Sequence, residues 1–498
     1  MLRPKRSRWP LASAVLLLLA AAAVYQGILL RAKLEIGGAE PQPAVTGRVQ
    51  NLHQRAMQQY CTGLVRTPRN TWLVGRLEDA HDITPQPEGS VQLDTLVYGG
   101  KRAAQAPPED WGTPWNAWHR KPEQTTYVSR LAEDGIFHEV ARLNGTGCLL
   151  ATPDGSTLYL LTDLERPQAS EAKPALEQTA VLRSDDQGQS WQWLESGWLP
   201  QVNWQAWSMR PQFHGDREVW AWRDFEFGEE QAAPTQGSPS GLFYSPDLGR
   251  TVESVAASAP LLKTLDDLRG KAPADADWGD SNGRHGRIRA HVVQNGPDQA
   301  VLWISQTFMY GAPGGPHLDT SISVSTRAEL RRSAGRWDMA LPEHMEGFAV
   351  TELQANSAGR TIAVLQRDGQ PLPQVAEWNG TGRTWVDHGP LPSPFHPLAS
   401  SSGLRDFRVG DKVLLANTMS SYQVPRWLSP VRDSSISANA VFYSSDWGAS
   451  WHKLAIDGYL GVLGFEPSTG RVHWAQGNWY NSRDLQIHSY DLEPGGKP

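Results

Sequence analysis

The stretch Ser184-Asp185-Asp186-Gln187-Gly188-Gln189-Ser190-Trp191 constrains this chain most, because its pattern returns elsewhere. Ser444-Ser445-Asp446-Trp447-Gly448-Ala449-Ser450-Trp451 repeats Ser-x-Asp-x-Gly-x-Ser-Trp in full. Ser245 to Val252 keeps Ser245, Asp247, Gly249 and Thr251 but lacks the closing Trp. Asn379 to Trp385 keeps only the Gly, the Thr and the Trp. Each copy follows a short apolar run, such as Ala180-Val181-Leu182 or Ala440-Val441-Phe442-Tyr443, so each joins two strands. A motif at one fixed place in successive strand pairs marks a repeat architecture.

The chemistry of the motif is that of a hairpin turn. The Ser184 and Ser444 hydroxyls and the Asp186, Asp247 and Asp446 carboxylates can accept backbone N–H groups that a turn leaves unpaired. Gly188, Gly249 and Gly448 supply a positive φ without steric cost. Trp191 and Trp451 open the next strand and cover the turn with apolar surface. These residues therefore read as structural. The pattern resembles the Asp-box (BNR) repeat of sialidase-like β-propellers, which implies a propeller but does not by itself imply sialidase activity.

A second periodic signal sets the blade count. Strand–turn–strand starts occur at Thr67-Pro68, Thr152-Pro153, His214-Gly215-Asp216, Asn295 to Asp298, Ser357-Ala358-Gly359, Val409-Gly410-Asp411 and Pro467 to Gly470. Their spacing fits the roughly 40–50 residues of propeller repeats, with insertions. The expectation is an all-β, seven-bladed β-propeller with blades starting near residues 60, 147, 205, 287, 347, 403 and 459. The last blade reads one strand short, and six blades follow if the irregular first segment is not one. Ring closure removes open sheet edges.

Outside the repeats, Arg3, Lys5, Arg6 and Arg8 precede an uncharged run from Trp9 to Leu30. About 20 apolar residues suffice to span a bilayer. The sequence divides into a cytoplasmic tail (1–10), a transmembrane signal anchor (11–30), a linker with a short amphipathic helix over Thr46 to Tyr60 (31–59), the propeller (60–491) and a tail (492–498). A cleaved signal peptide with Ala21-Ala22-Ala23 at its cleavage site is the alternative. With the Asp-box resemblance, the short basic anchor places the domain in the periplasm of a bacterium, held to the inner membrane. Cys61 and Cys148, the only two cysteines, pair as a disulfide or stay as buried thiols.

For function, a net charge of −7 with no basic block beyond the N-terminus argues against nucleic acid. The connections Glu165 to Gln178, Phe227 to Gly241, Phe308 to Thr320 and Thr418 to Asn439 join strands 2 and 3. In a propeller they share one face with the 4–1 connections, opposite the Asp boxes, and elaborated loops on one face are where recognition is built. Trp111, Trp115 and Trp118 in the first-blade insertion either stack on sugar rings or a protein partner, or fold back over the blade. Arg223 and Glu226, Tyr310, Trp427, and Trp479, Tyr480 and Arg483 complete the candidate ligand-binding set on that face.

The resemblance implies three arginines gripping a carboxylate, a Tyr nucleophile with a Glu, and an Asp acid/base. The nearest match to the first arginine, Val65-Arg66-Thr67-Pro68, lacks the expected Ile and sits in a strand 1–2 turn, away from a central pocket. Catalytic residues are therefore unassigned. No paired metal-ligand spacing, P-loop or Gly-x-Ser-x-Gly elbow occurs, so neither cofactor nor metal is called for; Asp275 to Asp280 reads as a solvated loop. The expectation is a protein that binds a protein or glycan partner without catalysis, with a sialidase-like glycoside hydrolase as the alternative.

Overall fold

A computed structural model describes residues 13–22, 24, 44–50, 63–77, 125–144, 147–152, 154–166, 176–190, 192–193, 212–214, 218–223, 241–247, 251–257, 260–278, 286–311, 320–395, 399, 401–423, 435–456, 462–476 and 484–492. Strand β1 (Ala44–Gln50) is followed by the first blade: β2 (Leu64–Arg66), β3 (Thr71–Leu77), β4 (Thr125–Leu131) and β5 (Phe137–Asn144). The second is β6 (Gly147–Ala151), β7 (Leu158–Arg166), β8 (Leu176–Ser184) and β9 (Gln192–Trp193). The third is β10 (Gln212–His214), β11 (Glu218–Arg223), β12 (Gly241–Ser245) and β13 (Glu253–Ala257).

A short helix α1 (Leu265–Arg269) lies in the connection to the fourth blade, β14 (Arg287–Gly296), β15 (Gln299–Tyr310), β16 (Thr320–Ser333), β17 (Arg336–Met339) and β18 (Glu343–Glu346). The fifth is β19 (Phe348–Ala355), β20 (Thr361–Arg367), β21 (Gln374–Asn379) and β22 (Thr384–Pro390). The sixth is β23 (Ser401–Val409), β24 (Leu414–Gln423), β25 (Ser435–Ser444) and β26 (His452–Leu454), and the seventh begins with β27 (Val462–Glu466), β28 (Arg471–Gln476) and β29 (Asp484–Asp491). Every pairing is antiparallel, and the chain is an all-β, seven-bladed propeller; the first segment is a true blade, which removes the six-bladed alternative.

The missing strand of the seventh blade comes from the other end of the chain. β1 pairs with β29 from Ala44↔Ser489 to Gln50↔Asp484. Ala44–Gln50 is thus a strand where the sequence pattern suggested linker and the start of a helix; pairing with a segment far along the chain outweighed local apolar spacing. Residues 51–62 lie outside the described residues.

The expected membrane anchor is not upheld. Residues 13–22 are helical, and no helix among the described residues is long and apolar enough to cross a membrane. The single-pass inner-membrane placement, and the periplasmic location that rested on it, are therefore withdrawn.

The repeated turns are built as their residues suggest. The Ser184 hydroxyl donates to Asp186 Oδ1 (2.8 Å) and accepts the Gly188 N–H (2.8 Å), while Ser190 donates its N–H (2.9 Å) and hydroxyl (2.5 Å) to Asp186. Ser444, Asp446, Gly448 and Ser450 repeat the network at 2.8, 2.7, 2.8 and 2.5 Å. Asp247 receives the Ser245 and Thr251 hydroxyls at 3.0 and 2.8 Å and the Thr251 N–H at 2.7 Å. Gln187 and Gly188, like Trp447 and Gly448, have positive φ, which only glycine adopts freely. Trp451 packs against the fifth–sixth blade core, whereas Trp191 and Gly249 lie outside the described residues.

Blades pack face to face, with a separate apolar cluster in each well-described seam. Trp220, Tyr244 and Trp337 meet at 4.7–5.5 Å between the third and fourth blades, and Trp303, Trp378 and Trp385 at 5.0–5.2 Å between the fourth and fifth. The first strands of successive blades touch, β14 with β19, β19 with β23, β27 with β2 and β2 with β6, so they form the inner ring.

Candidate functional site

The inner ring is stitched by side chains. The Val292 N–H donates to Gln212 Oε1 (3.2 Å), and Arg289 Nη1 donates to the Thr351 carbonyl (3.2 Å). Val409 N–H donates to Gln354 Oε1 (3.0 Å), whose Nε2 donates to the Phe407 carbonyl (2.6 Å). These bonds satisfy inner-strand backbone groups that have no neighbouring strand on the channel side.

Charge gathers where the inner strands begin, at the end of the ring opposite the Ser-x-Asp turns. In β14, Arg287, Arg289 and His291 alternate, and the two-residue period of a strand puts them on one face, facing the fifth blade with Val293. Arg287 is exposed and Arg289 largely enclosed. Enclosure pulls the Arg289 pKa down; Glu352 opposes that shift and Arg287 adds to it. Burial pushes the His291 pKa down to about 3, helped by Arg289 and opposed by a hydrogen bond to the Val350 backbone, so the imidazole is neutral at pH 7. Its Nε2 is sealed from solvent without a hydrogen-bond partner.

Three inner strands carry β-bulges on this side: β19 between Val350 and Glu352, β23 between Leu404 and Asp406, and β27 between Val462 and Gly464. A bulge re-aims side chains, and here the extra residues are Thr351, Arg405 and Leu463. Arg405 is exposed, and Asp406 is paired with Arg408 (3.0 Å). Arginines with fixed neighbours are the donors best suited to carboxylates, because their fork matches two oxygens at once.

Polar side chains also enter the seams at this end. Between the fourth and fifth blades, Ser305 Oγ lies 2.8 Å from Ser325 Oγ and accepts the Val350 N–H (2.7 Å), and Asp368 accepts the Ser323 N–H (2.8 Å). Facing the seventh blade, Asn417 Oδ1 and Asn439 Oδ1 are sealed from solvent without partners, and so are both ring nitrogens of His488 across the seam. A buried polar atom left dry costs about 1–3 kcal/mol.

Of the expected site residues, Tyr310 ends β15 at the top of the fourth blade, its ring 5.4 Å from Trp278; this is packing between the α1 connection and the blade. Arg223 closes β11 opposite Gly241. Trp111, Trp115, Trp118, Glu226, Trp427, Trp479, Tyr480 and Arg483 lie outside the described residues, as does Cys61; Cys148 belongs to β6. Arg66 sits at the opposite end of the ring, its Nη1 2.7 Å from Glu466 Oε1, as its turn position suggested. Among the described residues no group of three or more His, Cys, Asp and Glu could hold a metal ion. In the sequence, Arg284 to His291 reads as a basic turn and a strand start, and β14 does begin at Arg287; the alternation of Arg287, Arg289 and His291 along it was the signal for a site that this reading did not draw.

No protein-family model and no curated protein matches the chain. Among solved structures it is similar to a puromycin hydrolase mutant (10% identity, TM-score 0.40, covering 89% of this chain and 52% of that one). It is also similar to an oligogalacturonate lyase in complex with manganese (8%, 0.37, 91% and 99%) and to a prolyl endopeptidase (10%, 0.37, 81% and 50%). The chain spans about half the length of the hydrolase and the endopeptidase. The expectation that leaned away from an enzyme finds no support among these similar structures, which are enzymes. At this level of similarity their particular chemistries carry no argument for this chain.

Proposed function

We propose that this chain is a recognition propeller of the Asp-box, sialidase-like class that takes a carboxylate-bearing glycan at the channel end opposite its Asp-box turns. The observation that carries the reading is the set of arginines on two inner strands at that end, Arg287 and Arg289 on β14 and Arg405 on the β23 bulge. The Ser-x-Asp turns support the class assignment through their repeated hydrogen-bond network.

A second reading, hydrolysis of such a glycan at the same place, is favoured by one observation. A neutral imidazole with an unpartnered Nε2, His291, and a carboxylate, Glu352, flank Arg289. Of the two, Glu352 is the group able to move a proton near a bound acid, because His291 Nε2 is sealed from solvent.

The test is titration of the purified protein with N-acetylneuraminic acid, alongside turnover of fluorogenic sialosides and related ulosonic glycosides. Saturable binding weakened tenfold or more in Arg287→Ala supports recognition. Turnover abolished in the same variant supports the hydrolase. Neither binding nor turnover removes both readings.

A further inference from the structure

We infer that Asn379 is a self-modification site. In the folded chain the backbone nitrogen of Gly380 attacks the Asn379 side-chain amide, and water opens the resulting cyclic imide to aspartate or isoaspartate.

The fifth-blade turn is the copy of the Ser-x-Asp motif that has lost its acid. Aligned on Gly382, Thr384 and Trp385, Gly380 stands where the sixth-blade turn carries Asp446. The residue before it takes over the turn: Asn379 Oδ1 accepts the Thr381 and Gly382 N–H groups, each at 3.1 Å. These bonds fold the side chain forward along its own backbone, across the Gly380 peptide. Two donors on one carbonyl oxygen also draw charge from its carbon, as donors do in an oxyanion hole.

The other groups the reaction needs are unrestrained. Among the described residues neither the Gly380 N–H nor Asn379 Nδ2, the nitrogen that leaves, makes a hydrogen bond. Asn379 and the five residues after it are exposed. A Cβ built on Gly380 meets nothing within 4 Å, so the attacking nitrogen is open to approach, and glycine lets the backbone turn toward the ring-closing geometry.

The chain holds four Asn-Gly pairs, and Asn295-Gly296 supplies the contrast. Asn295 is exposed too, but Gly296 pairs with Gln299 in the β14–β15 ladder and its carbonyl accepts Gln294 Nε2 at 3.1 Å. That ladder must open before the imide can form. Asn144-Gly145 and Asn282-Gly283 include residues outside those described.

The reaction consumes water and releases ammonia. A bond forms from the Gly380 nitrogen to Asn379 Cγ, the Gly380 amide proton passes through solvent to Nδ2, and Nδ2 departs as ammonia. Water then breaks one of the two imide C–N bonds. Cleavage at Cγ leaves an aspartate, whose oxygen accepts the same two N–H groups with the added strength of a charge. Cleavage at the main-chain carbonyl leaves isoaspartate, which reroutes the backbone through Cγ and ends the Asn379↔Thr384 pairing. Trp378 and Trp385 flank that pair and pack on Trp303 of the fourth blade at 5.0 and 5.1 Å, while Arg383 ties the turn to Glu343 of β18 at 2.5 Å. Isoaspartate at this turn therefore loosens the seam between the fourth and fifth blades.

The experiment incubates the full chain and the variants Gly380→Ala and Asn379→Asp in mildly alkaline buffer. Peptide mass spectrometry follows positions 379 and 295, and an isoaspartyl methyltransferase counts isoaspartate. The expected result is conversion at Asn379 at least about tenfold faster than at Asn295 in the folded chain, a gap that closes in urea. Gly380→Ala, which the open space accepts, suppresses the conversion at least about tenfold by shielding the attacking nitrogen. The Tm falls as isoaspartate accumulates, whereas Asn379→Asp keeps it. Conversion of Asn295 as fast as Asn379 in the folded chain, or conversion untouched by Gly380→Ala, overturns the proposal. A Tm that stays constant as isoaspartate accumulates overturns its effect on the seam.

Discussion

Replacing Arg360 tests whether the repeated turns hold neighbouring blades together or merely close hairpins. Arg360 Nε and Nη2 donate to the two Glu377 oxygens at 2.9 and 2.6 Å, within the fifth blade. Its guanidinium carbon lies 3.7 Å from the ring centroid of Trp447, which belongs to the sixth-blade Ser-x-Asp turn. Trp447 is held at φ 63°, a conformation that costs a non-glycine residue about 1–2 kcal/mol. A half-exposed cation–π contact returns about 0.5–2 kcal/mol, and a partly exposed ion pair about 0.2–1 kcal/mol. Arg360→Ala therefore destabilises by about 1–3 kcal/mol, and Arg360→Lys recovers only part of that, lacking the fork and the flat stacking surface.

The sharper reading is the double-mutant cycle with Trp447→Gly, followed by urea denaturation. Glycine relieves the backbone but loses the stack, so its penalty is smaller by about 1 kcal/mol when Arg360 is already alanine. Equal penalties in both backgrounds, within about 0.3 kcal/mol, refute the clasp.

The same turns make Asp446→Ala cost about 1–2 kcal/mol, by analogy with a lost helix cap, while Asp446→Asn keeps most of the stability; urea midpoints of the two variants compare them. Acid stability is governed first by histidines. His291, His344, His473 and His488 have pKa values lowered mainly by burial, so below about 6.5 the unfolded chain takes up protons that the native state refuses. Stability is then lost as pH falls from about 6.5 toward the native value, and His291→Gln flattens that loss by up to about 2 kcal/mol between pH 6.5 and 5, read from urea midpoints. Burial would raise the Asp186 and Asp446 pKa values, but their Ser190 and Ser450 hydrogen bonds outweigh it, so these carboxylates withdraw stability only below about pH 4. Deleting residues 1–50 removes β1 and bares the β29 edge; the Tm falls and the protein self-associates, seen by light scattering, whereas an unchanged monomer contradicts closure by β1.

How far the sequence could be read depended on the range of each interaction. The Ser-x-Asp-x-Gly-x-Ser turns are local: every hydrogen bond in the Ser184 network spans at most four residues, so the pattern alone locates them. The seven strand 1–2 turns were legible for the same reason. β1 was not, since its partner β29 lies at the far end of the chain and no local pattern announces that pairing. The split outer strand of the fourth blade also escaped notice. There β16 pairs with β17 along its lower half and β18 along its upper half, while Leu341 between them is 94% exposed. The charged channel end depends on Arg289 reaching Thr351, 62 residues away, a contact that no local pattern announces. Its one local trace is the alternation of Arg287, Arg289 and His291, which composition alone presents as a basic turn.

The most direct test of the account is an experimental structure of the chain at saturating N-acetylneuraminic acid. The account predicts the carboxylate within hydrogen-bond reach of Arg287 or Arg405 at the channel end opposite the Ser-x-Asp turns. A ligand bound instead on the face of the Ser-x-Asp turns, or a channel end that stays empty at saturation, contradicts it.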